Sequence, residues 1–225
     1  LECEMAGVEA TYIPIGVDCE LWKAPSLEER AMFRKGLGIA ENSFVVLTVA
    51  DNQERKNLSR AMDIYAGACK DTKSQYLMVT RPNSPVGWKI NDYALSLGIF
   101  GQMNVWDRGM SFKQMWSIFV VADCFLLTSK AEGLAMPVLE AMAMNVPVVG
   151  TRCAAIEEHL IEGRGLLIEA DSRGYHRFPQ QIKKDRFKDR LARESGWHLV
   201  RVRQPDIRGE VQAAVDIRQR ALAGL

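Results

Sequence analysis

The chain has 225 residues, 48% of them hydrophobic and 25% charged, the composition of a soluble globular protein large enough for one ordinary domain with extra elements at its ends. No apolar run approaches the length of a membrane span, which excludes a membrane-spanning helix. Net charge is +1 but unevenly divided: residues 171–225 carry 13 Lys+Arg against 7 Asp+Glu, and the remainder carries the balancing acid, which marks a compositional boundary near Ala170.

In chain order, 10–14 is a short β-like run ending in a turn at 15–18. Residues 26–38 read as a helix, with Ser26 and Glu29 spaced as a capping box and Gly36 and Gly38 closing it. A regular alternation begins there. Strands are predicted at 44–50, 75–80, 103–106, 123–128, 146–150 and 166–169 from continuous apolar, β-branched runs. Between them lie predicted helices at 57–70, 88–97, 111–121, 137–144 and 154–161. The helix at 57–70 has Asn57 as its cap and Leu58, Ala61, Met62, Tyr65 and Cys69 on one face; Gly98 closes the next, Ser111 caps the third, and Pro137 opens the fourth. Alternating helices and apolar strands predict an α/β fold: a Rossmann-like parallel sheet of about six strands with helices on both faces. Right-handed crossovers then bring the strand-to-helix loops 51–57, 81–87, 107–110, 129–136 and 151–153 to one edge. Past Ala170, 179–194 and 209–223 read as charged helices and 197–202 as a strand without an assignable partner, a mainly helical extension.

The five cysteines are scattered and form no Cys-x-x-Cys pair, which fits a reducing, cytoplasmic setting. The three histidines lack ligand spacing, so no protein-built metal site is expected. Basic residues between Lys183 and Arg193 could meet an anionic lipid surface, but interleaved Asp185 and Asp189 favour an ordinary solvated helix; no aromatics alternate with the charges, which argues against nucleic acid.

The chemistry concentrates in 129–143, where Glu132 and Glu140 stand eight positions apart with Gly133 and Pro137 between them. Glu132 falls on a loop at the carboxyl end of a strand, the edge where open parallel sheets bind ligands. Gly133 lets backbone approach a ligand closely. The amides of Gly133, Leu134, Ala135 and Met136 precede a helix and can face an anion. A carboxylate beside such an anion makes sense if it accepts hydrogen bonds from neutral hydroxyls, as Glu132 would from a sugar, and Glu140 can hold a second diol such as a ribose. On the same edge Arg55 and Lys56 offer charge to a pyrophosphate. Each glutamate alone also fits a helix-capping or first-turn acid, and the Arg-Lys pair alone fits a solvated loop.

These segments resemble the C-terminal, donor-binding half of a retaining GT-B glycosyltransferase, from the large family of glycogen-synthase-like enzymes and bacterial hexosyltransferases. Tyr12–Asp18 is similar to that family's way into this domain, Arg55-Lys56-Asn57 to its phosphate-binding segment, and Glu132 to Glu140 to its Glu-x7-Glu signature; Pro147–Thr151 and 154–158 stand at the family's usual distance beyond that signature. The match runs over roughly 8–170. The resemblance implies that Glu132 lies beside the donor sugar, that the amides of 133–136 approach sugar and phosphates, that Glu140 holds the ribose, and that Lys56, with Arg55 beside it, neutralises the departing diphosphate. It implies a UDP-, GDP- or ADP-linked sugar as donor and no cofactor or metal. The expected organisation is a lead-in segment 1–25 from a missing N-terminal acceptor domain, a nucleotide-sugar-binding domain at 26–170 and the extension at 171–225, the chain alone binding donor without transferring sugar. Departures stand at Ala50-Asp51, where the family often has Gly-Arg, at Ala135 in place of a second glycine, and at Ala154 and Ala155 in place of two more. Competing readings are a degenerate, non-catalytic scaffold and a sugar-nucleotide 2-epimerase of the same fold.

Overall fold

The computed structural model describes residues 15–151 without a break, Gly7, Glu9, Cys153 and Ile156, and the backbone of two later strands, 165–171 and 198–203. The 10–14 run, the 154–161 helix and the two charged helices after Ala170 lie outside the described residues.

Helix α1 (Leu27–Gly36) begins with the capping box read from the sequence: Ser26 accepts from the Glu29 amide while Glu29 reaches back to the Ser26 amide. It ends where Gly38 takes a φ of +67°. Five strands and four helices then alternate: β1 (Phe44–Val49), α2 (Leu58–Cys69), β2 (Ser74–Val79), α3 (Ile90–Leu97), β3 (Met103–Trp106), α4 (Phe112–Val121), β4 (Cys124–Leu127), α5 (Met136–Ala143) and β5 (Val148–Thr151). Strands β6 (Gly165–Asp171) and β7 (His198–Arg203) complete one sheet in the order β3-β2-β1-β4-β5-β6-β7, every neighbouring pair parallel.

Two sequence expectations change. The sheet has seven described strands rather than about six; the seventh is the 197–202 segment, which finds its partner in β6. Backbone hydrogen bonds make that pairing, and strand pairing leaves no side-chain signature from which the sequence could name the partner. Asn57 does stand at the start of α2, but its side chain makes no capping bond; it takes a left-handed conformation, φ 51° and ψ 44°, turning the chain out of a 3₁₀ turn at Glu54–Lys56.

Strands β1, β2, β4 and β5 are buried on both faces, as parallel sheets require. On one side Phe44, Val46, Cys124, Leu126 and Val149 face Ile64, Tyr65, Ala68 and Cys69 of α2. On the other, Phe125 stacks on Phe119 of α4 at 5.7 Å. Val45, Leu47, Tyr76, Leu77, Phe119 and Phe125 are fully or almost fully buried. Thr48, a polar residue in the middle of β1, bonds the Tyr76 hydroxyl (2.9 Å) and donates to the Leu126 carbonyl (2.7 Å), so its burial leaves no orphan.

The strand order reverses direction between β1 and β4. That is the topological switch point, and the loops after β1 and β4 flank the crevice where doubly wound sheets bind ligands.

Candidate functional site

Those two loops are laced together. The Lys130 amide donates to the Arg55 carbonyl (2.7 Å), Arg55 Nη1 donates to the Ala131 carbonyl (3.2 Å), and Thr128 Oγ1 donates to the Asn57 carbonyl (2.8 Å). Lys130 also pairs with Glu54. Backbone and side chains together fix the spacing across the switch point before any charge at the centre is considered.

At the centre lies Glu132. Its side chain is only 4% exposed, and Lys56 Nζ reaches Oε1 at 2.5 Å with Lys56 itself 14% exposed. Ser129 Oγ donates to the same oxygen at 2.5 Å, and Arg55 Nη1 stands 3.5 Å from Oε2. A carboxylate this buried needs partners to replace its lost hydration; here two cations and a hydroxyl supply them. Ser129 is held in turn by Thr151 and Cys153, both donating to its carbonyl. Lys56 and Glu132, assigned separate tasks from the sequence, touch each other.

The chain after Glu132 turns outward at Gly133, which is exposed, with open space where a Cβ would sit. Leu134 is half-buried. Ala135 is buried and left-handed, φ 55° and ψ 52°, the backbone region that favours glycine. This is the position where the resemblance calls for a glycine, and the geometry supplies the reason. Met136 opens α5, with Pro137 behind it. Next comes Glu140, half-buried in α5; burial raises its carboxyl above the ordinary value, and among the described residues its carboxylate has no hydrogen-bond partner.

The sequence reading missed a second cluster, on the β2 and β3 side of the same edge. Asp51, the second residue past the end of β1, accepts from Arg81 Nε (2.7 Å) and Nη2 (2.6 Å) and from Gln53 Nε2 (2.8 Å), and Arg108 Nη1 lies 3.0 Å away. The Arg81 hydrogen bonds, with Arg108 adding to them against the cost of burial, hold the Asp51 carboxyl well below the usual range. The acid that stands where the resemblance has an arginine is therefore neutralised locally. A signal existed: Arg81 and Arg108 stand just past the ends of two neighbouring strands, at matching offsets. Asn52 was missed as well. Fully buried, it donates to the carbonyls of Arg81 (3.0 Å) and Trp88 (2.7 Å) and accepts from the Trp88 amide (2.8 Å), pinning the loop between β2 and α3. Gly87 lies so close to Asn52 that a Cβ there would meet it at 2.3 Å.

Among the described residues, no three His, Cys, Asp or Glu side chains gather as a metal-ligand set, and no helix is long and apolar enough to cross a membrane.

The family described as Glycosyl transferases group 1 matches residues 29–185, more than half of the chain and both site loops. The chain belongs to this family. It is 24% identical over 171 residues to N-acetyl-alpha-D-glucosaminyl L-malate synthase of Bacillus anthracis, an alignment covering 71% of this chain and 43% of that one. The chain thus spans less than half the length of that relative. Among solved structures it is similar to Anabaena Alr3699/HepE in complex with UDP-glucose, with TM-score 0.61, 19% identity, and coverage of 99% of this chain and 60% of the other. It is also similar to the C-terminal domain of the glycosyl transferase group 1 protein LpcC of Francisella tularensis, with TM-score 0.58, 17% identity, and coverage of 91% and 97%. At these identities the structural matches speak for the fold: the Rossmann-like domain of a GT-B glycosyltransferase.

Proposed function

We propose that this group 1 glycosyltransferase chain is the donor-binding half of a retaining enzyme that moves a sugar from a nucleotide-sugar to an acceptor. The observation that carries the reading is the meeting of Lys56 and Arg55, from the loop after β1, with the buried Glu132, from the loop after β4, across the switch point of the sheet.

Donor binding would exchange partners within this cluster. A diphosphate takes up Lys56 and Arg55, and the sugar's hydroxyls replace the cations as donors to Glu132. The turn at Gly133 and Leu134 and the amides of Ala135 and Met136 offer backbone to sugar and phosphate. Glu140, half-buried without a partner among the described residues, suits a pair of ribose hydroxyls. Bond cleavage leaves charge on the departing diphosphate, and preorganised cations stabilise it there. Positioning and electrostatics, rather than a covalent nucleophile, carry the chemistry in this reading. Transfer itself would need an acceptor-binding domain, with this chain alone binding donor only.

Calorimetry of the chain with UDP-, GDP- and ADP-sugars tests the reading. One of the three should bind, and Lys56→Ala should weaken it about ten- to a hundredfold, the worth of one charge-assisted hydrogen bond. Glu132→Gln should weaken the sugar nucleotide more than the bare nucleoside diphosphate, because it replaces one of the sugar's two carboxylate acceptors with an amide donor while releasing Lys56. No binding of any donor by the folded chain would end the reading.

A further inference from the structure

The cluster around Asp51 gathers two guanidinium groups where one would close the loop tie, set against the carboxylates of Asp51 and Asp107. Arg81 alone closes the tie, with two hydrogen bonds to one carboxylate. Arg108 then brings a second guanidinium to the same Oδ2 at 3.0 Å, where it repels the first. Gln53 fills what remains of the acceptor capacity of Oδ2. Oδ2 is thereby saturated and Oδ1 is engaged by Arg81 Nε, while both arginine side chains are about half exposed, at 44% and 54%. Arg81 has two of its five N–H donors engaged and Arg108 one in these contacts. Asp107, next in chain to Arg108, turns its Oδ1 back to the Arg108 amide at 2.7 Å. Asn52 anchors the backbone of Arg81 from below, so the fork is fixed at its root as well as its tip. The arrangement repeats, one loop over, the two cations around one carboxylate seen at Glu132.

We propose that Arg81 and Arg108, held side by side by Asp51, form a second oxyanion site on this edge, one that takes a phosphate group. An arriving phosphate relieves the repulsion between the guanidinium groups and meets donors already oriented, so little ordering cost opposes it. The site stands on its own geometry; it rests on the glycosyltransferase reading only for the source of the phosphate, which is either the donor's diphosphate or an anionic acceptor.

The test is calorimetry of the intact chain with inorganic pyrophosphate and, separately, with UDP-glucose, on wild type, Arg108→Gln and Arg81→Gln, with thermal melts of each. The Arg108 side chain is half exposed and makes one ion pair among the described residues, so its variant should melt with the wild type, the bidentate Arg81 pair still holding the loops. Pyrophosphate binding should weaken about tenfold or more in each variant. Unchanged pyrophosphate binding in Arg108→Gln, or none in the wild type, would overturn the site. If UDP-glucose weakens in parallel, the phosphate is the donor's; if it holds while pyrophosphate weakens, the phosphate comes with the acceptor. Wild type that binds pyrophosphate through Arg108 and no nucleotide-sugar at all would sink the donor reading and leave the site standing.

Discussion

Glu140 shows what a functional position costs a single residue. Its carboxylate sits half-buried in α5, its carboxyl pushed up by burial, with no described partner to offset the loss of water. A raised folded-state value in an acid means that the ionised form is penalised in the fold. The penalty is full above the folded value and vanishes below the unfolded one. Glu140→Gln should therefore raise the melting temperature at neutral pH, and the gap to wild type should close as pH falls toward about 4, near the ordinary Glu value. The same variant should weaken nucleotide-sugar binding about tenfold, as one hydrogen-bonded acceptor is lost. A variant less stable than wild type at pH 7 would show that Glu140 is paired after all. Ala135 has a cost of another kind. An L-residue at φ 55° gives up roughly 1 kcal/mol against a right-handed one, and the resemblance's glycine would not.

At the scale of elements, the loops matter more than the helices. The stretch between β2 and α3 is clamped by one buried side chain, Asn52, and by the fit of Gly87 against it. The nearest atoms include the Asn52 backbone carbonyl at 2.4 Å, which cannot swing aside as a flexible side chain could. Gly87→Ala should lower stability by about 1–3 kcal/mol, the usual cost of overpacking, read as a shift of the urea midpoint. Hydrogen exchange should locate the loss in residues 81–88 rather than in the sheet. An unshifted midpoint would show that the loop relaxes freely. The clamp also bears on the proposed oxyanion site, since it carries Arg81.

For the molecule as a whole, the sheet's opposite edge decides integrity. Asp123 opens β4 and collects Arg30 (2.6 Å) and Arg34 (2.5 Å) from α1 together with the amide of Val45 (2.7 Å) from β1. The two arginines also donate to the carbonyls at the end of α4, Val120 to Ala122 for Arg30 and Val121 for Arg34, so one carboxylate joins helix α1, the end of α4 and both central strands. Arg34 is only 9% exposed there, and Asp123 22%. Asp123→Ala should cost about 3 kcal/mol in urea unfolding, the low end for stripping one partner from a buried ion pair, because two cations and an amide are left without their acceptor. A loss below about 1 kcal/mol would place the cluster with ordinary surface pairs. Donor binding, at the far edge, should survive in the fraction that folds.

The alternation of apolar runs with amphipathic segments determined the α/β class, the helices and strands among the described residues to within a residue or two, and the edge on which Lys56, Arg55 and Glu132 gather. Periodicity and capping are local properties, so they are written in consecutive residues: Ser26 with Glu29 closes its box as the spacing says, and Ser111 caps its helix. Which strand pairs with which was decided only in three dimensions, because a backbone ladder leaves no mark on side chains; β7 found its place beside β6 that way. The contact between Lys56 and Glu132 spans 76 positions, and the gathering of Asp51, Arg81 and Arg108 joins three separate loops. Charges so far apart in the chain acquire a common purpose only when a twisted sheet brings the ends of its strands together.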